Sequence, residues 1–413
     1  MRILVYPGTM EVGGSQINAV ELAHQAAQDG HDVVLFGPDG DLVALVAELG
    51  LDYFRAPQAG RWPSRRNMRA LTRLVAERRV DLVHGYEWGP SLDLAFGPHR
   101  ALGVPLVTTV LSMDVPEHVP RHEPLVVGTR LLAEQQRALR PRVHLVEPPV
   151  DTVLNAPGRG GPGVRERLGL DPGDLVVSVV GRLSRDLGKA DGVLAAIDVA
   201  GALAATTPVR LVVAGTGPVA GRVAERASAV NDAAGRPVVV VTGQLLDPRP
   251  VYDAADVVIG MGSSVLKGMA FGKPVVVQGD RGAWRALDAG SLAGFLHEGW
   301  MCTGRGDGRE LERALRPLLA DPALRAERGA LGRRVVRDTY GLAAAARRVD
   351  QVYADAVAHR PTAAVRRDAL LRCAVDVGKF KASLARQRLV AARPATGAPA
   401  TGGARPHRDR VAL

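Results

Sequence analysis

The sequence predicts two α/β domains in tandem, each built around a doubly wound parallel sheet. Along the first 360 residues, short apolar runs rich in Val, Leu and Ile alternate with longer segments of helical periodicity. This alternation is typical of βαβ units. It is interrupted at about residues 147–174 by a stretch dense in proline and glycine, which we interpret as a linker. A length of 413 residues also suits two domains.

The first series opens with a strand at 2–6, a loop containing glycines, and a helix at 15–29. Its later strands are predicted at 32–36, 82–84, 106–110, 125–127 and 144–146. Helical patterns separate the strands, at 40–49, 65–78 and 130–139. We therefore assign residues 1–150 to a Rossmann-like N-terminal domain.

The second series predicts strands at 175–180, 210–214, 238–242, 257–259 and 274–278. It defines a second Rossmann-like domain at 151–340, followed by a helix at 341–360 that packs back on the body. Open parallel sheets bind ligands at the carboxyl ends of their strands. We therefore expect ligand-binding residues in the loops that follow the strands, with a cleft between the two domains.

Most of the net charge of +10 belongs to residues 361–413, which carry eleven Lys or Arg and three Asp. The rest of the chain is close to neutral, so we expect no nucleic-acid partner. Apolar residues recur every three or four positions in this tail: Leu370, Cys373, Val377, Phe380 and Leu384. The pattern predicts a basic amphipathic helix, which could lie on an anionic membrane through residues 361–393, pack on the body or bind a protein. From Arg393 onward we expect disorder.

Other sequence features restrict the class of protein. The two cysteines, Cys302 and Cys373, have neither metal-type spacing nor a disulfide context. We expect no signal peptide and no membrane span, and therefore a cytoplasmic location, with the tail as a candidate contact to the inner face of the membrane.

Three loops between a strand and a helix have residues suited to an anionic ligand. Gly13 and Gly14 could bring backbone amides to an anion at a helix N-terminus. After the first strand of the second domain, Gly181 is followed by the cation Arg182, and a second cation lies at Lys189. A diphosphate is a natural partner for two such cations. Gly215 lies in a Gly-x-Gly turn after the next strand. Each loop alone could equally be a turn or a solvated surface.

Seen together, these loops and several further segments resemble the retaining GT-B glycosyltransferases, a group that includes glycogen synthase-like and mannosyltransferase-like enzymes. The resemblance runs in order over about residues 1–350. The segments that carry it are 12–16, 30–33, 81–84, 149–151, 181–189, 252–257 and 266–276. The last of these, Leu-Lys-Gly-Met-Ala-Phe-Gly-Lys-Pro-Val-Val, is the most specific.

The resemblance implies transfer of a sugar from a nucleoside diphosphate sugar to an acceptor, with retention of configuration and without a metal or other cofactor. The expected catalytic residues are Arg182, Lys189 and His84. The expected donor and phosphate ligands are Gly13, Gly14, Gly181, Gly215, Ser263, Ser264, Lys267 and Asp280. Acceptor contacts are expected from Glu87, Trp88 and Ser112. From the residues alone, His84 could also be an ordinary hydrogen-bonded histidine, Trp88 could be a packing residue, and Asp280 could be a solvated carboxylate of a loop.

Two departures from the family pattern affect the donor and acceptor sites. Lys267 stands where the family has a Glu that accepts hydrogen bonds from ribose, and a lysine has donors only. The run from Leu111 to Asp114, which includes Ser112, lacks the histidine that the family often has after the preceding strand. A catalytically silent scaffold, a sugar-nucleotide epimerase of the same architecture and a membrane or nucleic-acid adaptor therefore stay open as alternatives.

Overall fold

A computed structural model describes residues 1–57, 62–161, 163–306 and 308–391. The disorder predicted from Arg393 onward lies outside the described residues, as does the end of the basic tail. The chain forms two compact units. The first contains residues 1–127, 132–144 and the chain from Val349 onward, and the second contains residues 128–131 and 145–348.

The first unit is built on a seven-stranded sheet. Its strands are β1 (Arg2–Tyr6), β2 (Asp32–Gly37), β3 (Asp52–Arg55), β4 (Leu82–Tyr86), β5 (Leu106–Val110), β6 (Leu125–Val127) and β7 (Val143–Leu145). Its helices are α1 (Gly14–Gln28), α2 (Leu42–Glu48), α3 (Arg65–Glu77), α4 (Trp88–Leu94), α5 (Arg100–Leu102) and α6 (Arg130–Arg137), with a π-helical turn at Ala95–His99 between α4 and α5.

The strand order is β3-β2-β1-β4-β5-β6-β7, which contains the doubly wound Rossmann order. Neighbours from β3 to β6 pair in parallel. Strands β4 and β5 are buried along their whole length, since helices cover both faces. The core includes Leu4, Phe36, Leu71, Val83 and Leu106. The first unit therefore has the predicted fold, with the additional edge strand β3.

The second unit has a six-stranded sheet. Its strands are β8 (Leu175–Val180), β9 (Val209–Ala214), β10 (Val239–Gly243), β11 (Val257–Gly260), β12 (Val275–Gln278) and β13 (Trp284–Ala286). Its helices are α7 (Val164–Arg167), α8 (Lys189–Leu203), α9 (Ala220–Ala234), α10 (Arg249–Ala254), α11 (Ser263–Ala270), α12 (Leu292–Glu298), α13 (Glu310–Ala320) and α14 (Pro322–Thr339).

Its strand order is β10-β9-β8-β11-β12-β13. All pairings are parallel except that of the edge strand β13, which runs antiparallel to β12. The core on one side of the sheet includes Val177, Ile197, Val213 and Leu315. The order reverses between β8 and β11, which is where open α/β sheets bind their ligands.

The last two described helices are α15 (Leu342–Ala358) and α16 (Ala363–Ala391). The apolar stripe of α16 packs on the first unit, because Leu370 joins its core and Cys373 and Val377 pack against Leu92. This contact favours the packed-helix alternative for the stripe. Any membrane contact of the tail would then depend on its basic residues. Within the described part of the chain, no helix combines the length and apolar character that a bilayer crossing requires.

Candidate functional site

In the first unit, Glu87 is held by donors from two separate loops. Its carboxylate accepts hydrogen bonds from Ser15 Oγ at 3.1 Å, the Leu111 amide at 3.1 Å and Ser112 Oγ at 2.7 Å. Ser15 lies in the first turn of α1, directly after Gly14, and Leu111 directly follows β5. The structure thus brings the predicted glycine loop and two predicted acceptor residues to one place at the carboxyl ends of the strands.

The Glu87 backbone is in a strained conformation. Its φ of 65° and ψ of 170° lie in a region that residues with a side chain rarely occupy. Such conformations persist only where the surroundings enforce them, and they are concentrated at functional sites. Burial raises the pKa of the Glu87 carboxyl, while the hydrogen bonds from Ser112, Leu111 and Ser15 oppose this shift. The Ser112 backbone amide also donates to this carboxylate, so its roughly four acceptor positions are largely occupied.

His84 has a packing role in place of the predicted catalytic one. The side chain is fully buried. Its Nδ1 lies 2.9 Å from the Tyr353 hydroxyl and its Nε2 lies 2.7 Å from Thr109 Oγ1. Burial lowers the pKa of His84 to about 3, so the imidazole is neutral at pH 7. With both nitrogens engaged and no solvent access, His84 is not placed to transfer protons to a substrate, and we correct the prediction.

Replacing His84 with glutamine should make the folded state less sensitive to acid. The ordinary pKa of a histidine is 6.5 and burial lowers that of His84 to about 3, so below pH 6.5 protons bind preferentially to the unfolded chain. Stability from this group is therefore complete above pH 6.5 and is lost by about 1.4 kcal/mol per pH unit as the pH falls towards 3.

Urea unfolding at pH 7.5, 6.0 and 5.0 would measure this effect. The free energy of unfolding of the wild type minus that of His84→Gln should decrease steadily as the pH is lowered. A difference that is the same at all three pH values would contradict a buried, neutral His84.

Trp88 lies in an aromatic cluster. Its ring makes edge-to-face contacts with Trp62, His118 and Phe380, at centroid distances of 5.9, 5.0 and 5.7 Å. Phe380 belongs to α16, so the C-terminal helix covers part of this side chain. The structure thus gives Trp88 a packing function, and its predicted contact with the acceptor stays a prediction.

In the second unit, the loops after β8 and β9 are joined by backbone hydrogen bonds. The Gly181 amide donates to Ala214 at 3.0 Å, and the Leu183 amide donates to the Thr216 carbonyl at 2.9 Å. Gly215 lies so close that a Cβ on it would be 1.9 Å from the Gly181 carbonyl oxygen. This contact fixes the loop that carries Arg182, whose side chain is exposed directly after the strand.

The two predicted cations after β8 have different surroundings, since Arg182 is exposed and Lys189 lies in an ion pair. Lys189 begins α8, and its Nζ forms an ion pair with Asp186 at 2.7 Å. The preceding residue, Gly188, has a φ of 67° and lies against Asp280, since a Cβ on it would be 2.5 Å from the Asp280 carbonyl oxygen. Asp280 itself is exposed. Predicted site residues from the ends of β8, β9 and β12 are therefore neighbours in the fold.

The remaining predicted donor ligands lie on α11, which follows β11. Ser263 and Ser264 form its first turn, and Ser264 hydrogen-bonds to the buried Tyr252. Lys267 lies one turn later and is partly buried. Burial raises the pKa of the Asp247 carboxyl, but hydrogen bonds from Arg249 lower it more, so the pKa lies below its usual value. The positive charge of Lys267 is close enough to add a smaller lowering.

Sequence reasoning missed two of the groups that hold Glu87. Ser15 directly follows the predicted glycine pair and could have been included on that ground. The Leu111 amide carries no signal in its side chain, because a backbone donor is available at almost every residue. The role of the Leu111 amide is visible only in the structure, where the ends of β4 and β5 lie side by side.

The chain matches two domain families. Residues 12–146 match Glycosyltransferase Family 4, and residues 174–321 match Glycosyl transferases group 1, which together span well over half of the chain. Among curated proteins, none matches this chain.

Solved structures of similar fold include the following three proteins. Alr3699/HepE of Anabaena, in complex with UDP and glucose, has 17% identity and a TM-score of 0.67, covering 86% of this chain and 100% of that one. Sucrose-phosphate synthase of Thermosynechococcus elongatus has 17% identity and a TM-score of 0.66, with coverage of 86% and 99%. A glycosyltransferase of Rickettsia africae has 13% identity and a TM-score of 0.67, with coverage of 86% and 98%. At such identities the likeness shows a common fold.

Proposed function

This chain belongs to the GT-B glycosyltransferases, with a family 4 domain followed by a group 1 domain, and we propose that it uses a nucleoside diphosphate sugar as donor and transfers the sugar with retention of configuration. The acceptor would be a glycan, a lipid or a small molecule. We also propose that no metal takes part in the transfer step.

The observation that carries the proposal is the pair of joined loops after β8 and β9. They combine closely packed glycine backbone at Gly181 and Gly215 with the cations Arg182 and Lys189. Gly181, Arg182 and Gly215 directly follow parallel strands, and Lys189 begins the helix after β8, on the side of the sheet where this fold binds ligands. A diphosphate matches such a loop, because arginine can bind phosphate through two parallel hydrogen bonds and lysine adds a point charge.

The departing diphosphate gains negative charge as the bond to the sugar breaks. Donors that already point at this charge lower the barrier, since they need no reorganisation during the reaction. Arg182 and Lys189 are the proposed donors in the second unit. Asp186 holds Lys189 in place by the ion pair at 2.7 Å, and the diphosphate would share that cation. Two protein cations can neutralise this charge without a metal.

The rest of the donor would be bound by α11 and by the loop after β12. Ser263 and Ser264 offer hydroxyls at the start of α11, and Lys267 offers a cation one turn later. Because Lys267 cannot accept a hydrogen bond, we propose that the exposed carboxylate of Asp280, in the loop after β12, accepts one from a donor hydroxyl. The UDP in the Alr3699/HepE complex supports a nucleotide donor for this fold.

The acceptor would be bound by Glu87 and Ser112 in the first unit. Ser15, Leu111 and Ser112 hold Glu87 at the strand ends, and the carboxylate could take a hydrogen bond from an acceptor hydroxyl in exchange for one of these donors. The amides of Gly13 and Gly14, at the N-terminus of α1, would bind a negatively charged part of a substrate.

Calorimetry of the purified protein with UDP, GDP, ADP, CDP and TDP would test the donor proposal. Each diphosphate is paired with its nucleoside as a control, because the proposed loop recognises phosphate. We expect one diphosphate to bind selectively and its nucleoside to bind far more weakly. Turnover of the matching nucleotide sugar should be unchanged when Mg²⁺ or Mn²⁺ is added.

Two outcomes would contradict the proposal. Equal binding of a diphosphate and its nucleoside would remove the cationic loop from donor recognition. No binding of any of the five would favour a catalytically silent scaffold, for which the lysine at position 267 is the supporting observation.

A further inference from the structure

A second group of polar side chains is buried in the first unit, and the proposed function does not use it. It consists of His99, at the end of the π-helical turn, with His122 and Glu123, just before β6. The two His Nε2 atoms are 2.9 Å apart. Glu123 Oε1 lies 3.6 Å from His99 Nε2 and 3.8 Å from His122 Nε2. The three side chains are between 0% and 7% exposed.

Hydrogen bonding fixes the tautomer of His99. Its Nδ1 lies 2.7 Å from the Val104 carbonyl oxygen, which can only accept, so this nitrogen carries the proton. The Nε2 of His99 therefore presents a lone pair to the cluster.

Several polar atoms of the cluster lack a hydrogen-bond partner among the described residues. One is His122 Nδ1, which would carry the proton of that ring if Nε2 bound a metal. Both Glu123 oxygens also lack a hydrogen bond of normal geometry there, although the Leu106 amide approaches the carboxylate. Buried polar atoms are normally satisfied, and a cation placed between the three side chains would be bound by both Nε2 atoms and by Glu123 Oε1 at once.

We propose that this cluster binds a divalent transition-metal ion, Zn²⁺ in the first place, through His99 Nε2, His122 Nε2 and Glu123 Oε1. These are the three atoms that lie within 4.8 Å of one another. Metal–ligand distances of about 2.05 Å in a tetrahedral site place ligand atoms about 3.3 Å apart, and the three observed separations bracket that value. Imidazole with carboxylate is a ligand set that suits zinc.

Among the residues around the cluster, one orients a metal ligand and two arginines oppose the binding of a cation. The Val104 carbonyl orients His99, as an outer-shell partner of a metal ligand commonly does. Arg142 Nη2 lies 3.6 Å from Glu123 Oε2, which leaves Oε1 for the metal, and the other amino group of Arg142 lies 3.7 Å from Asp355. Burial has the largest effect on Glu123 and raises its pKa to about 8, so the metal would have to displace a proton from this carboxyl. Arg366 of α16 is a further nearby cation, and it would repel a bound metal.

The metal would fix the segment between β5 and β6. His122 and Glu123 lie at the end of this segment, and at its beginning the Leu111 amide and the Ser112 hydroxyl hold Glu87. The ion would join the end of the segment to His99 on a different element. We assign the ion a structural role at this segment, outside the transfer step, and metal binding at the cluster does not depend on the proposed donor or acceptor.

Metal analysis and metal titration of the full chain would test the site. We expect purified protein to bind one Zn²⁺ per chain. Chelated protein should regain it, and Co²⁺ in its place should give the visible absorption of a tetrahedral site. His122→Gln and Glu123→Gln should each weaken Zn²⁺ binding at least ~10-fold, because loss of an outer-shell partner alone costs that much. His359→Gln, which changes an exposed histidine of the same unit, should bind Zn²⁺ like the wild type.

Other results would overturn the site. Zn²⁺ binding that is equally strong in wild type, His122→Gln and Glu123→Gln would place the ion elsewhere, and no binding by the wild type would mean that the cluster holds no metal. Circular dichroism of each variant separates ligand loss from misfolding, and His122 is the least buried of the three residues. Thermal unfolding gives a second readout, since Zn²⁺ should raise the Tm of the wild type and not that of Glu123→Gln.

Discussion

Replacing Arg182 with alanine should lower the turnover number with the donor sugar by at least ~10²-fold, the loss typical of removing one charge-stabilising donor. The exposed side chain directly follows β8, beside the glycine turn after β9. Since the diphosphate gains charge as the sugar leaves, the effect should appear mainly in kcat and less in KM. Steady-state kinetics with the donor identified by calorimetry would measure both.

Two further variants make this test specific. Arg182→Lys should recover part of the turnover, because lysine keeps the charge but loses the two-pronged hydrogen bonding. Arg222→Ala removes an arginine from the exposed side of α9 and should leave kcat unchanged. If Arg182→Ala turned over like Arg222→Ala, then Arg182 would have no part in the mechanism.

The sheets could largely be predicted from the sequence, because their central strands are buried on both faces and read as continuous apolar runs. The strands that escaped prediction are the edge strands β3 and β13. β3 has only four residues, beginning with Asp52 and ending with Arg55, and most of it is exposed. β13 has three residues, of which Trp284 is buried and Arg285 is exposed. Short edge strands that are partly exposed contain too few buried residues for an apolar pattern to be recognised in the sequence.

The position of a residue directly after a central strand was predictable, as for Arg182, Gly215 and Glu87, whose roles stay predictions. A role that depends on burial was not predictable. His84 was selected because it lies at a strand end, yet its ring points into the core and bonds to Tyr353, which is 269 positions away in the sequence. The proposed metal ligands were missed for a similar reason, since His99 and His122 are 23 positions apart and have no recognisable spacing.

Replacing Gly215 with alanine should destabilise the second unit and weaken nucleotide binding together. The new methyl group would lie 1.9 Å from the Gly181 carbonyl oxygen, which belongs to the backbone and cannot rotate away. The φ of 150° at this residue adds strain for any side chain. Overpacking and backbone strain of this kind together cost on the order of 3 kcal/mol. Thermal unfolding should show a Tm lower by roughly 10 °C.

Gly221→Ala provides the matched control. Gly221 lies in α9, close along the chain, and a Cβ on it would meet nothing within 4 Å. Alanine in a helix is favoured over glycine by about 0.5–1 kcal/mol, so this variant should be slightly more stable than the wild type and bind the nucleotide equally well.

Gly215→Ala must also move the Gly181 carbonyl, and with it the loop that carries Arg182. If Gly215→Ala lowered the Tm but left diphosphate affinity intact, the two joined loops would serve folding alone, and the diphosphate would have to bind at another part of the second unit.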